Sequence, residues 1–265
     1  KEIAQILESS CIGCGICVNR CPFGAIKIVN IPTSISSTIF HTYGQNKFRL
    51  HGMCHLKKGT VLGLLGQNGI GKSTMLNILT NKFKPNFGSK MEIKVSDEPT
   101  DILSHFKGNE SRNYFEKLYK NKIEPSLKLQ HIEAKGDTRT VSQILNEKTI
   151  KILGLNHLAN RQLSVLSGGE LQRVNIGQVG QSESLALFFD EPTNFLDLSQ
   201  RVEIAQYICG LSKDDRYIIM CDHDLSILDY VSDYIHLIYG EPGAYGIVSQ
   251  LYSTRQGMNI YLDGY

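Results

Sequence analysis

The sequence predicts an α/β fold built on a parallel-sheet core, and three observations carry that reading. The apolar run Val61-Leu62-Gly63-Leu64-Leu65 leads into Gly66-Gln67-Asn68-Gly69-Ile70-Gly71-Lys72-Ser73-Thr74 and then into the helix-like Met75-Leu76-Asn77-Ile78-Leu79. Two further apolar runs, Ser184 to Phe189 and Tyr217 to Cys221, end in acidic clusters, Asp190-Glu191 and Asp222-His223-Asp224. Unbroken apolar runs suit strands buried on both faces, as parallel strands are.

The first stretch matches G-x-x-x-x-G-K-[ST] in its required context of strand, loop and helix. Glycine lacks a Cβ, so the backbone N–H groups of Gly66, Asn68, Gly69 and Gly71 can curl around an oxyanion, and the positive end of the next helix points at the same place. Lys72 then reaches the β- and γ-phosphates, and Ser73, with Thr74 beside it, supplies a hydroxyl for Mg²⁺. The expected ligand is a nucleoside triphosphate, ATP or ADP.

Ligands of an open α/β sheet gather beyond the carboxyl ends of its strands, so Asp190 and Glu191 fall beside the phosphates. Asp190 is placed to hold Mg²⁺ through water, and Glu191 to polarise an attacking water. His223 follows another buried strand, where it is either structural or a contact for the γ-phosphate or the water. Upstream of the loop, Tyr43 and Phe48 flank a Tyr43-Gly44-Gln45-Asn46 turn between short strands at Ile35 to His41 and Lys47 to His51; each is an adenine-stacking ring or a strand aromatic. Ser167-Gly168-Gly169-Glu170 has capping-box spacing and predicts a helix start with exposed N–H groups, again an anion site. Thr140 to Leu155 reads as one amphipathic helix, and Gln130 closes the strand-like Leu127-Lys128-Leu129.

A second motif stands at the start. Cys11-x-x-Cys14-x-x-Cys17-x-x-x-Cys21-Pro22 has the bacterial-ferredoxin spacing, in which tight loops wrap thiolates around a [4Fe–4S] cube. Zinc sites usually separate two C-x-x-C pairs by a longer gap. In two-cluster proteins the fourth cysteine of such a run serves the other cluster. With one run present, Cys11, Cys14 and Cys17 need a ligand from elsewhere and Cys21 is stranded, so the cluster is expected to be held incompletely or not at all. The remaining cysteines, Cys54, Cys209 and Cys221, read as core thiols.

Composition bounds the rest. The balance of 28 basic to 26 acidic residues, net +2, is too even to argue for nucleic acid from bulk charge. No apolar run reaches the ~18–20 residues of a membrane-spanning helix. The start Lys1-Glu2-Ile3 has neither a methionine nor a signal-like apolar region, and the cysteines read as metal ligands or thiols. The expectation is a fragment of a soluble, cytoplasmic protein with no membrane partner. Two helical patterns within 99–121, parted by Gly108-Asn109, form a helix–turn–helix insert. Arg112, Lys117, Lys120 and Lys122 give it a basic face, either solvated or docking.

The order of glycine loop, Gln130, Leu166-Ser167-Gly168-Gly169-Glu170, Asp190-Glu191, Asn194 to Asp197 and His223 resembles ATP-binding-cassette nucleotide-binding domains. With the cysteine run, the chain resembles the E subfamily, the ribosome-recycling iron–sulfur ATPases of the RNase L inhibitor family. That resemblance implies a parallel-sheet core with an antiparallel β subdomain and an α-helical subdomain. It places a partial ferredoxin-like segment at 1–30, a linker at 31–37, the first nucleotide domain at 38–240 with its helical signature region at 140–180, and a hinge at 241–265. It further implies that Lys72, Ser73, Gln130, Asp190, Glu191 and His223 serve this domain's own ATP, with Ser73, Gln130 and Asp190 around Mg²⁺. Ser167, Gly168, Gly169 and Glu170 would serve ATP bound to a second nucleotide domain, absent here, so the isolated chain is expected to hydrolyse weakly. The implied partners are that second domain, the small ribosomal subunit, and release or initiation factors, with the 99–121 insert as a ribosome contact. Two alternatives share parts of the pattern. A membrane transporter ATPase has every cassette motif but rarely the fused cysteine run, and electron-transfer ATPases usually lack Leu-Ser-Gly-Gly-Glu.

Overall fold

The computed structural model describes residue 6 and residues 11–29, 39–88, 103, 106, 110–130, 134–212 and 215–264. The expected linker 31–37 and most of the first helix of the insert lie outside these. Among the described residues, the cysteine run contributes one short helix, α1 (Ile16–Arg20), entered through left-handed Gly15. The strands are β1 (Ile39–Thr42), β2 (Arg49–His51), β3 (Thr60–Leu65), β4 (Ser126–Lys128), β5 (Ala186–Asp190), β6 (Tyr217–Cys221), β7 (Tyr234–Glu241), β8 (Tyr245–Val248) and β9 (Tyr252–Ser253). The remaining helices are α2 (Lys72–Leu79), α3 (Glu110–Tyr119), α4 (Val141–Ile144), α5 (Glu147–Ile152), α6 (Gly168–Gly180), α7 (Leu198–Leu211), α8 (Leu225–Val231) and α9 (Thr254–Leu262).

The described strands form one sheet in the order β1-β2-β8-β7-β3-β6-β5-β4, with β9 paired to β7. From β7 to β4 the pairing is parallel, as the apolar runs require. At the other end β1–β2 and β7–β8 are antiparallel but β2–β8 is parallel, so the expected antiparallel subdomain is a mixed extension of the core sheet.

Alternation along the central strands divides the interior in two. Leu62, Leu64, Phe188, Ile219 and Cys221 face a core completed by Met75, Leu76, Ile78 and Leu79 of α2 and by Tyr114, Phe115 and Leu118 of α3. Val61, Leu65, Leu187, Phe189, Ile218 and Met220 face the opposite core, filled from α4 to α9. The apolar face of α3 is therefore spent on packing, while Arg112, Lys120 and Lys122 stay exposed and Lys120 pairs with Glu116.

Two expectations change. The helical stretch over Thr140 to Leu155 is two helices, because Leu145 turns extended and the Asn146 side chain caps α5 by accepting the Thr149 N–H at 2.8 Å. In the stretch 241–265, expected as a hinge, β8 pairs with both β2 and β7, and Met258 of α9 is buried in a core. Cys54 and Cys221 are buried thiols as expected, but Cys209 is only half-buried.

β7 also carries a fully buried imidazole. His236 Nε2 accepts the His55 N–H at 2.8 Å, which leaves Nδ1 protonated to donate to Ser249 O at 2.9 Å. Burial holds its pKa down to about 4. The unfolded chain binds this proton near pH 6.5 and the native state does not until about pH 4, so stability falls as pH drops through that window. The loss approaches about 3 kcal/mol at the acid end. His236→Asn is expected to be less stable at pH 7 but to show a flatter Tm profile between pH 6.5 and 4, as measured by thermal denaturation.

Candidate nucleotide-binding site

A cavity of about 360 Å³ opens at the carboxyl end of β3. Tyr43, Phe48, Gln67, Asn68, Gly69, Gly71, Lys72, Ser73, Thr74, Gln130, Glu191 and Gly243 line it. The glycine loop shapes its floor. Gly69 and Gly71 have φ of +75° and +108°, which β-carbon residues rarely adopt. A Cβ on Gly71 would also stand 2.7 Å from the Phe48 ring, so Phe48 both lines the cavity and braces the loop. Tyr43 is 45% exposed, and its hydroxyl pairs with Thr74 Oγ1 at 3.1 Å. Both aromatics thus stand at the cavity.

Lys72 lies over the loop, donating to the carbonyls of Gly66 at 2.6 Å and Gln67 at 3.1 Å. Burial pulls its pKa below the usual lysine range, while Cys221, Glu191 and Asp190 act the other way. Ser73 Oγ donates to Asp190 Oδ2 at 3.3 Å. Burial, then the charge of Glu191, pushes the Asp190 carboxyl upward. The Ser73 and Asp190 oxygens are hard donors of the kind Mg²⁺ takes.

Glu191 is buried and carries three side-chain partners. Gln130 Nε2 and Asn194 Nδ2 donate to Oε2 at 2.7 and 2.5 Å, and His223 Nε2 lies 2.9 Å from Oε1. Gln130, Glu191 and His223 are therefore brought together as the sequence suggests, although His223 reaches the site through Glu191 and does not line the cavity. Asp190 stands behind Ser73 in the same way.

The Ser167 helix start forms as expected. Ser167 Oγ accepts the Glu170 N–H at 3.4 Å, and Glu170 Oε2 accepts the Ser167 N–H at 2.7 Å. That reciprocal bond holds the Glu170 carboxyl below its ordinary range. Ser167 and Gly168 are exposed, and none of the four residues lines the loop's cavity. Within this chain that helix N-terminus is exposed, apart from the loop's cavity.

Several participants escaped sequence reasoning. Gly243 lines the cavity and its N–H donates to Gly69 O at 3.0 Å, which no local pattern announces. Lys128 is fully buried beneath Asp190 and Glu191, and burial brings its pKa down to about 8 against the opposing charges of Asp190, Asp222 and Glu191. A lysine inside an apolar strand was the available signal.

The cysteine run is less organised. Cys11 and Cys14 are exposed, Cys17 and Cys21 half-buried, and Cys21 Sγ accepts the Ala25 N–H at 3.4 Å. Backbone N–H groups of Ala25 and Phe23 lower the Cys21 thiol pKa. Gly13 and Gly15 have positive φ, as close passage around a cluster would need. The thiols match an iron–sulfur cluster in type, although among the described residues no three metal-binding side chains gather at one point. No helix among the described residues is long and apolar enough to cross a membrane.

Gly71→Ala combines an unfavourable φ with a clash on Phe48, a strain of about 1–3 kcal/mol. It is expected to lower Tm and to weaken ATP binding at least about tenfold, measured by calorimetric titration.

Comparison with known proteins agrees with this geometry. The ABC transporter family matches residues 53–194, and the 4Fe-4S binding domain family matches residues 4–27. The chain is 43% identical over 282 residues to translation initiation factor RLI1 of Saccharomyces cerevisiae, covering 100% of this chain and 46% of the relative. It is 41% identical over 275 residues to ABC transporter E family member 1 of Arabidopsis thaliana, covering 100% and 45% respectively. A solved structure described as a model of ribosome-bound archaeal Pelota and ABCE1 aligns with TM-score 0.90 and 41% identity over 98% of this chain and 45% of the other. The chain spans about half the length of these relatives. With the ABC transporter family model over more than half of the chain, and similarity along the whole chain to E-family relatives, the chain belongs to the ABC family of ATP-binding-cassette proteins.

Proposed function

We propose that this chain is the ATP-binding and hydrolysing cassette of a cytoplasmic ribosome-recycling factor, in which closure on ATP moves an iron–sulfur segment and splits ribosomal subunits. The observation that carries the catalytic part is the Glu191 carboxylate, held at the edge of the loop cavity by Gln130, Asn194 and His223. A carboxylate held in this way can take a proton from a water attacking the γ-phosphate, while ADP departs with the broken P–O bond's electrons.

The other roles follow from position. Tyr43 and Phe48 stack on adenine, and the N–H groups of Gly66, Asn68, Gly69 and Gly71 cradle the phosphates beside Thr74. Lys72 leaves its loop carbonyls for the β- and γ-phosphate oxygens. Ser73, Asp190 and Gln130 would hold Mg²⁺, which when bound neutralises phosphate charge. His223 acts through Glu191, orienting its carboxylate. The outward site at Ser167, Gly168, Gly169 and Glu170 serves ATP bound to a second nucleotide-binding domain, so turnover by this chain alone is weak. The names of the relatives support a translation setting, in which the small ribosomal subunit and release or initiation factors are the proposed partners. Cys11, Cys14, Cys17 and Cys21 supply ligands to a [4Fe–4S] cluster that this chain alone leaves incomplete.

In the full-length protein, Glu191→Gln should retain ATP and lower turnover about 10²- to 10³-fold. Lys72→Ala should instead weaken nucleotide binding, and near-normal ATP affinity in that variant would refute its assignment. Co-sedimentation of the full-length protein with ribosomal subunits, not with membranes, separates this reading from a transporter ATPase.

A further inference from the structure

Lys128 closes β4, and its side chain is 1% exposed. A buried ammonium is tolerated only where its donors find partners. Lys128 finds two, both main-chain: its Nζ donates to Asp190 O at 2.8 Å and to Glu191 O at 2.9 Å. The Glu191 carbonyl also accepts from Gln172 Nε2 of α6 at 3.0 Å. On the other side of the residue, Glu191 N–H donates to Cys221 O at 2.8 Å.

These bonds surround an unusual backbone. Glu191 has φ of +48°, the left-handed region that a β-carbon residue enters only at a cost. The turn redirects the chain as it leaves β5 and so sets where the Glu191 side chain begins. Two residues beyond Lys128, Gln130 donates to the carboxylate itself at 2.7 Å. One strand and its exit therefore grip both ends of Glu191, the carbonyl through a cation and the carboxylate through an amide.

We infer that Lys128 is a positioning residue for ATP cleavage, with its ammonium on the Asp190 and Glu191 carbonyls fixing the left-handed turn that aims the Glu191 carboxylate into the cavity. The inference rests on the reading of Glu191 as the base. Lys128 itself lines no part of the cavity and touches no nucleotide position, so its effect belongs to the chemical step and not to binding. Gln172, on the same carbonyl, is an auxiliary brace.

The test compares wild type, Lys128→Met, Lys128→Gln, Glu191→Gln and the Lys128→Met/Glu191→Gln double variant in the full-length protein. Single-turnover ATP cleavage and ATP affinity are measured for each. Lys128→Met, close in length but without a donor, is expected to slow cleavage about 10- to 100-fold. Its ATP affinity should stay within about threefold of wild type. Lys128→Gln keeps a neutral donor and should fall between. Once Glu191 is already Gln, Lys128→Met should slow the residual rate by less than about threefold, because both changes remove the same event. Wild-type cleavage in Lys128→Met overturns the inference, and so does full additivity in the double variant. Loss of ATP affinity matching the loss of rate also overturns it, since that marks a general disturbance of the site. If Lys128→Met does not fold, Lys128→Gln with wild-type cleavage is sufficient to overturn it. Wild-type cleavage in Glu191→Gln defeats the reading of the base instead, and so separates the two failures.

Discussion

The parallel register of β3, β6 and β5 is the constraint on which the site depends. Leu64 pairs with Cys221, and Asp190 pairs with the same Cys221 from the other side, so the three strands end level. The glycine loop, Asp222-His223-Asp224 and Glu191 emerge from those ends and have no choice but to meet. Register is enforced from within. A slip of one residue would send Leu187 and Phe189 into the core now filled by Ala186 and Phe188, and aim Asp190 at the wrong face. Packing of greasy side chains on both faces thus fixes where the polar chemistry sits.

Charge burial is handled by an uncommon division of labour. Lys72, Lys128, Asp190 and Glu191 are all nearly sealed from water, at 6%, 1%, 7% and 5% exposure. Both ammoniums spend their hydrogen bonds on main-chain carbonyls. The carboxylates are left to Ser73, Gln130, Asn194 and His223. Cations steady the backbone and neutralise the field, while Glu191 keeps its carboxylate at the cavity and Asp190 backs Ser73. Such buried charges contribute little net stability but are costly to leave unpaired. The arrangement therefore favours geometry over strength.

The late chain completes the loop from outside. Gly243 bonds Gly69, and Gly246 packs so closely that a Cβ there would meet Ile70 O at 2.0 Å. β8 continues into pairing with β2, which follows the Tyr43 turn. Tyr43 and Phe48, the glycine loop and residues near 243 are thus one mechanical unit. At the rim, Lys27 of the cysteine segment pairs with Glu241, two residues from Gly243. The segment and the nucleotide loop are joined through a short stretch of chain.

What the sequence determined by itself was whatever short-range pattern encodes. The glycine loop, the apolar runs ending in acids, the capping box at Ser167 and Glu170, and the cysteine spacing each carry their physics within about ten residues. The loop, the buried strands and the Ser167 cap formed where expected, with Gln130 and His223 each bonded to Glu191. What only the tertiary structure decided depends on partners far along the chain. Lys128 became a clamp because β4 pairs with β5. Gly243 joined the site because β7 lies beside β3. The helix expected over Thr140 to Leu155 broke at Asn146, where a local cap outweighed a continuous amphipathic stripe. A sequence states which groups can hold a charge or a turn; only the sheet, by choosing neighbours, states which of them must.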